Sequence, residues 1–470
     1  GDLHGGAITE GSVDSTIGIH IDLEAGGTAQ FHYWIAAGTT HKEVEAINRN
    51  VLTAGPASYI SDAAADSKRF LAGGHTPAFE LSDTAAELYR RSVLIVRSQI
   101  DKHGAIIAAN DHDVTERATD HYSYLWPRDG AFVANALDRA GHPEFSRRFF
   151  SLCARIVHER GYFLQKYNPD GSVGSGWHSY WDKYAKRPMY PIQEDETSLV
   201  LWALWEHYSM HPDERYIAEI YKGLIVKCAD FLAAFRDPVT KLPNPSWNLW
   251  EDRRGVHTFT CATVIAGLRA AANFAGLFGD SGLADKYSAA ADEVAAAMCE
   301  HLYSREHGRF LRGLLSNGDD TLVQDPIVDA SLFGVFYFGC LEPDHEMTFS
   351  TMAAIEQKLR NPTSVGGIAR FENDGYMRES DSVVGNSWFI CTLWLAEYYI
   401  AAARTPDDLA KARDIIEWTA AAALPSGVLG EQIEPISGRH ASVSPLTWSH
   451  STYVAAVLSY SAKLDSFTAG

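Results

Sequence analysis

About twelve helical segments follow one another between residues 81 and 464, with little strand signal between them. Their apolar periodicity and capping residues place them near 81–102, 128–141, 144–160, 194–210, 213–235, 257–278, 281–303, 327–338, 345–360, 386–403, 406–424 and 447–464. Such a succession suggests six antiparallel helix pairs in one mainly α domain. Several segments are apolar on more than one face, among them Ser198 to Tyr208 and Trp388 to Ile400, as expected of helices buried in a large fold. No fixed-length repeat accompanies them, so a short-period solenoid is not supported.

The polar, aromatic-rich stretches are spread unevenly. Tyr122 to Asp129 precedes the second segment, and Gln193-Glu194-Asp195-Glu196 opens the fourth. Trp250-Glu251-Asp252 precedes the sixth, and Arg370 to Asp381 precedes the tenth. Glu431-Gln432 and Trp448 precede or open the twelfth. All lie at the N-terminal ends of even-numbered segments. If the helices alternate up and down, those ends converge on one face, which predicts a site there.

The first forty residues read differently. Ile17, Ile19, Ile21 and Leu23 alternate with smaller or polar neighbours, Gly26-Gly27 marks a turn, and Phe31, Tyr33 and Ile35 alternate again. This pattern predicts a β-hairpin. An isolated hairpin is marginal in water, so it should be the remnant of a larger sheet or be pinned on the main domain. The expected organisation is a β segment over 1–38, a helical linker over 39–76 and a helical domain over 77–470.

Composition narrows the function. The chain carries 40 Lys plus Arg against 60 Asp plus Glu, a formal charge of −20. That argues against a nucleic-acid partner and against an anionic membrane surface. A neutral substrate fits better. No stretch reads as long and apolar enough to span a bilayer, because Arg269 and Asn273 interrupt the best candidate, Val264 to Phe278. The start at Gly1 shows no basic or apolar leader pattern, a removed signal peptide stays possible, and localisation stays open. Six cysteines (Cys153, Cys228, Cys261, Cys299, Cys340, Cys391) lack CxxC spacing and read as free buried thiols. Asp111-His112-Asp113 reads as a solvated loop, so no metal and no cofactor are expected.

Three stretches can carry chemistry. In Pro243 to Thr260, Glu251 and Asp252 stand between Trp247, Trp250 and the next helix. A carboxyl beside Trp is a candidate for desolvation and a general-acid role; the plain alternative is an acidic pair at a helix start. Glu431 lies in a Gly-flanked loop and is either an ordinary surface Glu or a partner to Glu251. Two carboxyls in an aromatic cleft are the apparatus of glycoside hydrolysis. Arg128 and Asp129 offer a donor and an acceptor for neighbouring sugar hydroxyls, or else form a structural pair. Tyr122 and Trp126 could stack on the ring, and Gln432 and Trp448 are further candidate substrate contacts. No GxSxG elbow, GxGxxG or P-loop context is present.

YSYLWPRDGAF, PIQEDETSLVLWAL, NLWEDRRGVHTFT, RFENDGYMRES with NSWFICTLWLAEYY, and GEQ…SVSPLTWSH together resemble glycoside hydrolase family 15, glucoamylase-type members above all. The likeness spans about 110 to 455, with the motifs in order. It implies an (α/α)6 barrel and an inverting exo-acting α-glucosidase that releases β-D-glucose from α-glucans or gluco-oligosaccharides. It implies Glu251 as general acid and Glu431 as general base. It also implies Arg128 and Asp129 on the terminal sugar's hydroxyls, Tyr122 at the oxocarbenium-like centre and Arg370 on substrate. Trp126, Trp177, Trp250 and Trp388 would form aromatic walls. Asp252 stands where relatives often carry Glu. Prokaryotic members carry a β-sandwich domain before the barrel, of which residues 1–38 would be the tail, the rest being trimmed or a separate chain. Glucodextranase and trehalase are the rivals on the same catalytic plan. A disaccharide phosphorylase and a non-catalytic carbohydrate-binding relic are more distant alternatives.

Overall fold

The computed structural model describes residues 18–75, 77, 80–110, 120–176, 178–182, 186–316 and 321–468. It divides into two compact units, Gly1–Phe70 and Leu71–Gly470. Trp177 and the Asp111-His112-Asp113 stretch lie outside the described residues.

In the first unit the hairpin does not form among the described residues. The turn is present, with the Gly27 N–H donating to the Glu24 carbonyl at 2.8 Å, but residues 18–38 carry no strand pairing. Ile19, Leu23, Phe31, Tyr33 and Ile35 are exposed. Alternation alone gives two extended arms; without a third strand or a helix to cover the apolar face, the ladder gains too little. The linker helix α1 (His41–Ala54) begins as read, capped by the Thr40 hydroxyl, which accepts from the Glu43 N–H at 3.2 Å. Trp34 donates to Asn48 on α1 at 3.0 Å. Helix α2 (Pro56–Gly73) follows.

The second unit is a closed double ring of helices. Its elements are α3 (Asp83–Ser98), α4 (Pro127–Arg139), α5 (Pro143–Ile156) and α6 (Glu194–Met210). Then come α7 (Glu214–Ile220) and α8 (Lys227–Ala234), joined by a π-helical stretch over Tyr221–Val226. They continue with α9 (Thr258–Leu277), α10 (Ser281–Leu302), α11 (Gly334–Tyr337) entered through a 3-10 turn at Ala330–Phe333, and α12 (Glu346–Leu359). The last are α13 (Phe389–Ala402), α14 (Ala410–Ala422) and α15 (Thr447–Thr468). All the expected segments are present; the one near 327–338 is a 3-10 turn followed by a single α-helical turn rather than a full helix.

The even-numbered segments, α4, α6, α9, α11, α13 and α15, form the inner ring, and the chain closes it by packing α15 against α4. Every residue of α4 except Arg139 is buried. Phe132 stacks on Trp448 with ring centroids 5.3 Å apart, and Phe333 on Trp394 at 4.1 Å, so aromatic rings fill the centre. Close approach of α6 and α9 depends on Gly267, where an added Cβ would stand 2.7 Å from the Ser198 carbonyl oxygen. Helix α9 is in fact long and apolar enough to cross a membrane, contrary to the reading of that stretch, but 78% of its most apolar window is buried inside the protein. An inner-ring helix is surrounded by other helices, so apolarity on all faces is what this packing demands.

Short antiparallel strands trim the inner ring. Ser246–Trp247, Arg254–His257, Gly313–Ser316 and Leu322–Asp325 form one sheet in that order. His440–Ala441, Gln432–Ile433 and Ser387–Trp388 form another, with Gln432 opposite both Ala441 and Trp388. These two sheets carry the residues discussed next. All six cysteines are free thiols.

Candidate active site

A cavity of about 530 Å³ opens where the segments leading into the inner helices meet. Tyr122, Trp126, Arg128 and Asp129 line it from the approach to α4, and Trp250, Glu251 and Asp252 from the approach to α9. Arg370 and Trp388 come from the approach to α13, and Glu431 and Trp448 from that to α15. The parity argument thus finds its face. Two placements differ from a lining role. Gln432 is fully buried behind Glu431, and the Gln193–Glu196 stretch lies beneath the wall rather than in it.

Glu251 sits in the turn of the Ser246–Trp247/Arg254–His257 hairpin, not at a helix start, since α9 begins at Thr258. Asn248 builds that turn. Its carbonyl accepts from the Glu251 N–H at 2.9 Å, and its side-chain oxygen accepts from the Asp252 and Arg253 N–H groups at 3.0 and 3.2 Å. Its amide donates to Asp252 at 2.7 Å. Gln193, at the N-cap of α6, anchors the turn by donating to the Asn248 carbonyl at 2.7 Å. The turn forces Glu251 to φ 66°, a left-handed conformation that a non-glycine residue adopts only where its surroundings dictate it. Asn373, Met377 and Ser442, on the other cavity segments, also have positive φ.

The Glu251 carboxylate accepts from Trp126 Nε1 at 2.7 Å and from Gln165 Nε2 at 2.5 Å. Arg128 Nη2 stands 3.8 Å from its Oε1. Burial raises the Glu251 pKa, with Arg128 and then Lys166 pulling against it. Arg128 is itself surrounded by acids: Asp129 at 3.2 Å, Asp195 at 3.2 Å and Glu196 at 3.1 Å. Glu196 also accepts the Arg128 backbone N–H. Burial pushes Asp129 up to about 6 despite Arg128.

Glu431 is pinned through its loop. Its N–H donates to the Val443 carbonyl at 3.0 Å, and the Gln432 amide donates to its Oε2 at 3.0 Å. Before it, the Leu429 N–H donates to His450 Nε2 at 3.0 Å, and the Gly430 carbonyl accepts from Ser449 at 2.8 Å. Burial raises the Glu431 carboxyl to about 7, with Ser442, Gln432 and Arg370 acting against it. Arg370 is mostly claimed by Asp374, to which it donates twice at 2.8 Å.

Aromatic rings complete the wall. Trp250 and Trp388 approach at 5.6 Å, and the Arg370 guanidinium lies 5.1 and 4.7 Å from their centroids. Trp250 donates to Asp329 at 3.0 Å. The Tyr122 and Tyr376 hydroxyls are 2.9 Å apart. Sequence reasoning passed over Gln165, Lys166, Gln193 and Asn248. Gln193 stood in a flagged stretch, but Gln165 and Lys166 belong to a loop without local signal and meet Glu251 only in the folded chain.

The sequence model of glycosyl hydrolases family 15 matches residues 83–458. The chain belongs to glycosyl hydrolase family 15. It is 26% identical over 405 residues to a glucoamylase of a Clostridium species, covering 79% of this chain and 52% of that one. It is 29% identical over 399 residues to a trehalase of Mycobacterium tuberculosis, covering 79% and 54%. A crystal structure of a bacterial glucoamylase complexed with acarbose superposes with a TM-score of 0.72 at 22% identity, covering 91% of this chain and 62% of that one. The shared fold is the (α/α)6 barrel of the family. The chain spans about half the length of each of these two curated relatives.

Proposed function

We propose that this family 15 chain is an inverting, exo-acting α-glucoside hydrolase that releases β-D-glucose from the non-reducing ends of α-glucans or gluco-oligosaccharides. The observation that carries this reading is the pairing of two carboxyls, half-buried Glu251 and buried Glu431, on the wall of one aromatic cavity, each with a raised pKa. A cavity of about 530 Å³ is of the size that holds a small ligand. Glu251 protonates the glycosidic oxygen as the bond to the anomeric carbon breaks. Glu431 removes a proton from the water that attacks the opposite face. Tyr122 faces the developing positive charge. Arg128, Asp129 and Arg370 position hydroxyls, Asp252 contacts the ring, and Trp126, Trp250, Trp388 and Trp448 form the apolar walls. Gln432 orients the Glu431 carboxylate.

Inversion requires the two carboxyls to stand roughly 6.5–9.5 Å apart, leaving room for water. NMR of the first product from maltose tests the mechanism: β-glucose is expected, and an initial α-anomer overturns it. The glucoamylase and trehalase relatives support two linkage readings, α-1,4 and α,α-1,1. Product analysis on maltose, isomaltose, trehalose, starch and dextran separates them, with maltose and starch expected to turn over fastest.

A further inference from the structure

Glu251 is reached by two cations. Arg128 comes from α4 and is shared with Asp129, Asp195 and Glu196. Lys166 comes from the loop between α5 and α6, and its side chain is 1% exposed. Its ammonium lies 5.1 Å from the Trp126 ring centroid and 4.4 Å from that of Tyr124. Trp126 in turn donates its indole N–H to Glu251 Oε1. The preceding residue, Gln165, donates to Glu251 Oε2. One dipeptide therefore acts on both oxygens of Glu251, Gln165 by contact and Lys166 through the indole. A cation on the face of an indole is attracted by the ring and polarises its N–H, making it a better donor.

A buried ammonium is costly without a partner, and this one has a built partner. Lys166 Nζ donates to Asp120 Oδ2 at 2.9 Å, and Asp120 also accepts from Ser175 and from the His121 N–H. Burial lowers the Lys166 pKa, and Asp120 and then Glu251 oppose that fall. The pair gives the cavity no direct donor to substrate, since Lys166 does not line it.

We propose that Lys166 is a positioning residue that sets the proton affinity of Glu251 through the Trp126 indole. The inference rests on the reading of Glu251 as general acid. The groups facing Glu251 are Arg128 and Asp129 from α4, with Asp195 and Glu196 of α6 behind Arg128. Lys166 with Asp120 faces it from the loops, and His178 bonds to its backbone. Tyr122 lies within electrostatic reach of both Glu251 and Glu431, and Arg370 acts on Glu431 rather than on Glu251. Protonated Glu251 is the working form, so activity is lost on the alkaline side as it ionises. The Lys166 charge favours the carboxylate. Its removal raises the proton affinity of Glu251 and extends activity to higher pH, and the Asp120 charge left behind acts in the same direction.

The test is the pH profile of kcat/KM for Lys166→Met and Lys166→Arg, with Lys166→Gln as a second neutral variant should the Met form fail to fold. The neutral variant should move the alkaline limb up by about half to one pH unit. Lys166→Arg should leave it in place, and neither should move the acid limb. A neutral variant that lowers kcat across the plateau with the alkaline limb unmoved overturns the proposal and reduces Lys166 to a prop for Asp120. Glu251→Gln is measured in parallel. Near-normal turnover there sinks the general-acid reading itself, whereas an inactive Glu251→Gln beside an unmoved Lys166→Met limb sinks only the inference.

Discussion

Glu251 and Glu431 share a cavity, but the chain holds them by opposite means. Glu251 is gripped at its carboxylate: Trp126 and Gln165 donate to its two oxygens, and Arg128 and Lys166 supply positive charge. Glu431 is gripped at its backbone, through Val443, His450 and Ser449, while its carboxylate receives one amide from Gln432. The nearby cation, Arg370, is spent on Asp374. Burial raises both carboxyls, Glu431 to about 7, and is opposed by neighbours drawn from different segments: Arg128 and Lys166 at Glu251, and Ser442, Gln432 and Arg370 at Glu431.

The largest expected effect comes from removing either carboxyl. Glu251→Gln and Glu431→Gln should each lower kcat by about 10³-fold or more, with circular dichroism unchanged. Near-normal kcat in one of them would remove that residue from the proposed pair. Breaking the Arg128 cluster should come next. Arg128→Met leaves Asp129, Asp195 and Glu196 buried together without their cation, and denaturant unfolding should show a loss of about 3–5 kcal/mol. A loss below 1 kcal/mol would mean those acids are neutral in the folded chain.

The pH dependence sharpens the contrast further. The base form of Glu431 is scarce below its pKa of about 7, so kcat/KM should fall as pH drops through that value. An acid limb centred near 4.5, the ordinary value, would show that the carboxylate is better solvated than its burial indicates. The smallest effect concerns stability. A carboxyl whose folded pKa lies above its unfolded one stabilises the fold fully below the unfolded value, and that contribution is lost as pH rises to about 7. Glu431→Gln removes the penalty, so its Tm should exceed that of the parent by about 1–3 °C at pH 8 and by less at pH 5. Equal differences at both pH values would break the argument.

Much of this arrangement could be read in advance. The helices announced themselves by period and caps, and their up-down alternation placed Tyr122 to Asp129, Trp250 to Asp252, Arg370 and Glu431 at one end. What escaped was how each side chain is supported. Gln165 lies 86 residues from the Glu251 carboxylate it holds, and no local pattern encodes that meeting. Asn248 carries no local signal of its role, though its side chain organises the turn that sets Glu251 at positive φ. Gln432, read as a substrate contact, is instead turned inward by strand pairing with Trp388 and holds the Glu431 carboxylate. The hairpin failed for the converse reason, since alternation specifies which side chains share a face but not whether anything exists to cover it.

The closure of the inner ring by α15 against α4 bears on synthesis. Thr447–Thr468 is made after every other inner-ring helix, and it brings Trp448 to the cavity wall and His450 to the Glu431 loop. Until it docks, the earlier inner helices present an open, apolar crescent, and Glu431 lacks its final neighbours. The cavity is complete only once this helix has been made, so a chain stopped before residue 447 would lack part of the site wall and be prone to associate with itself.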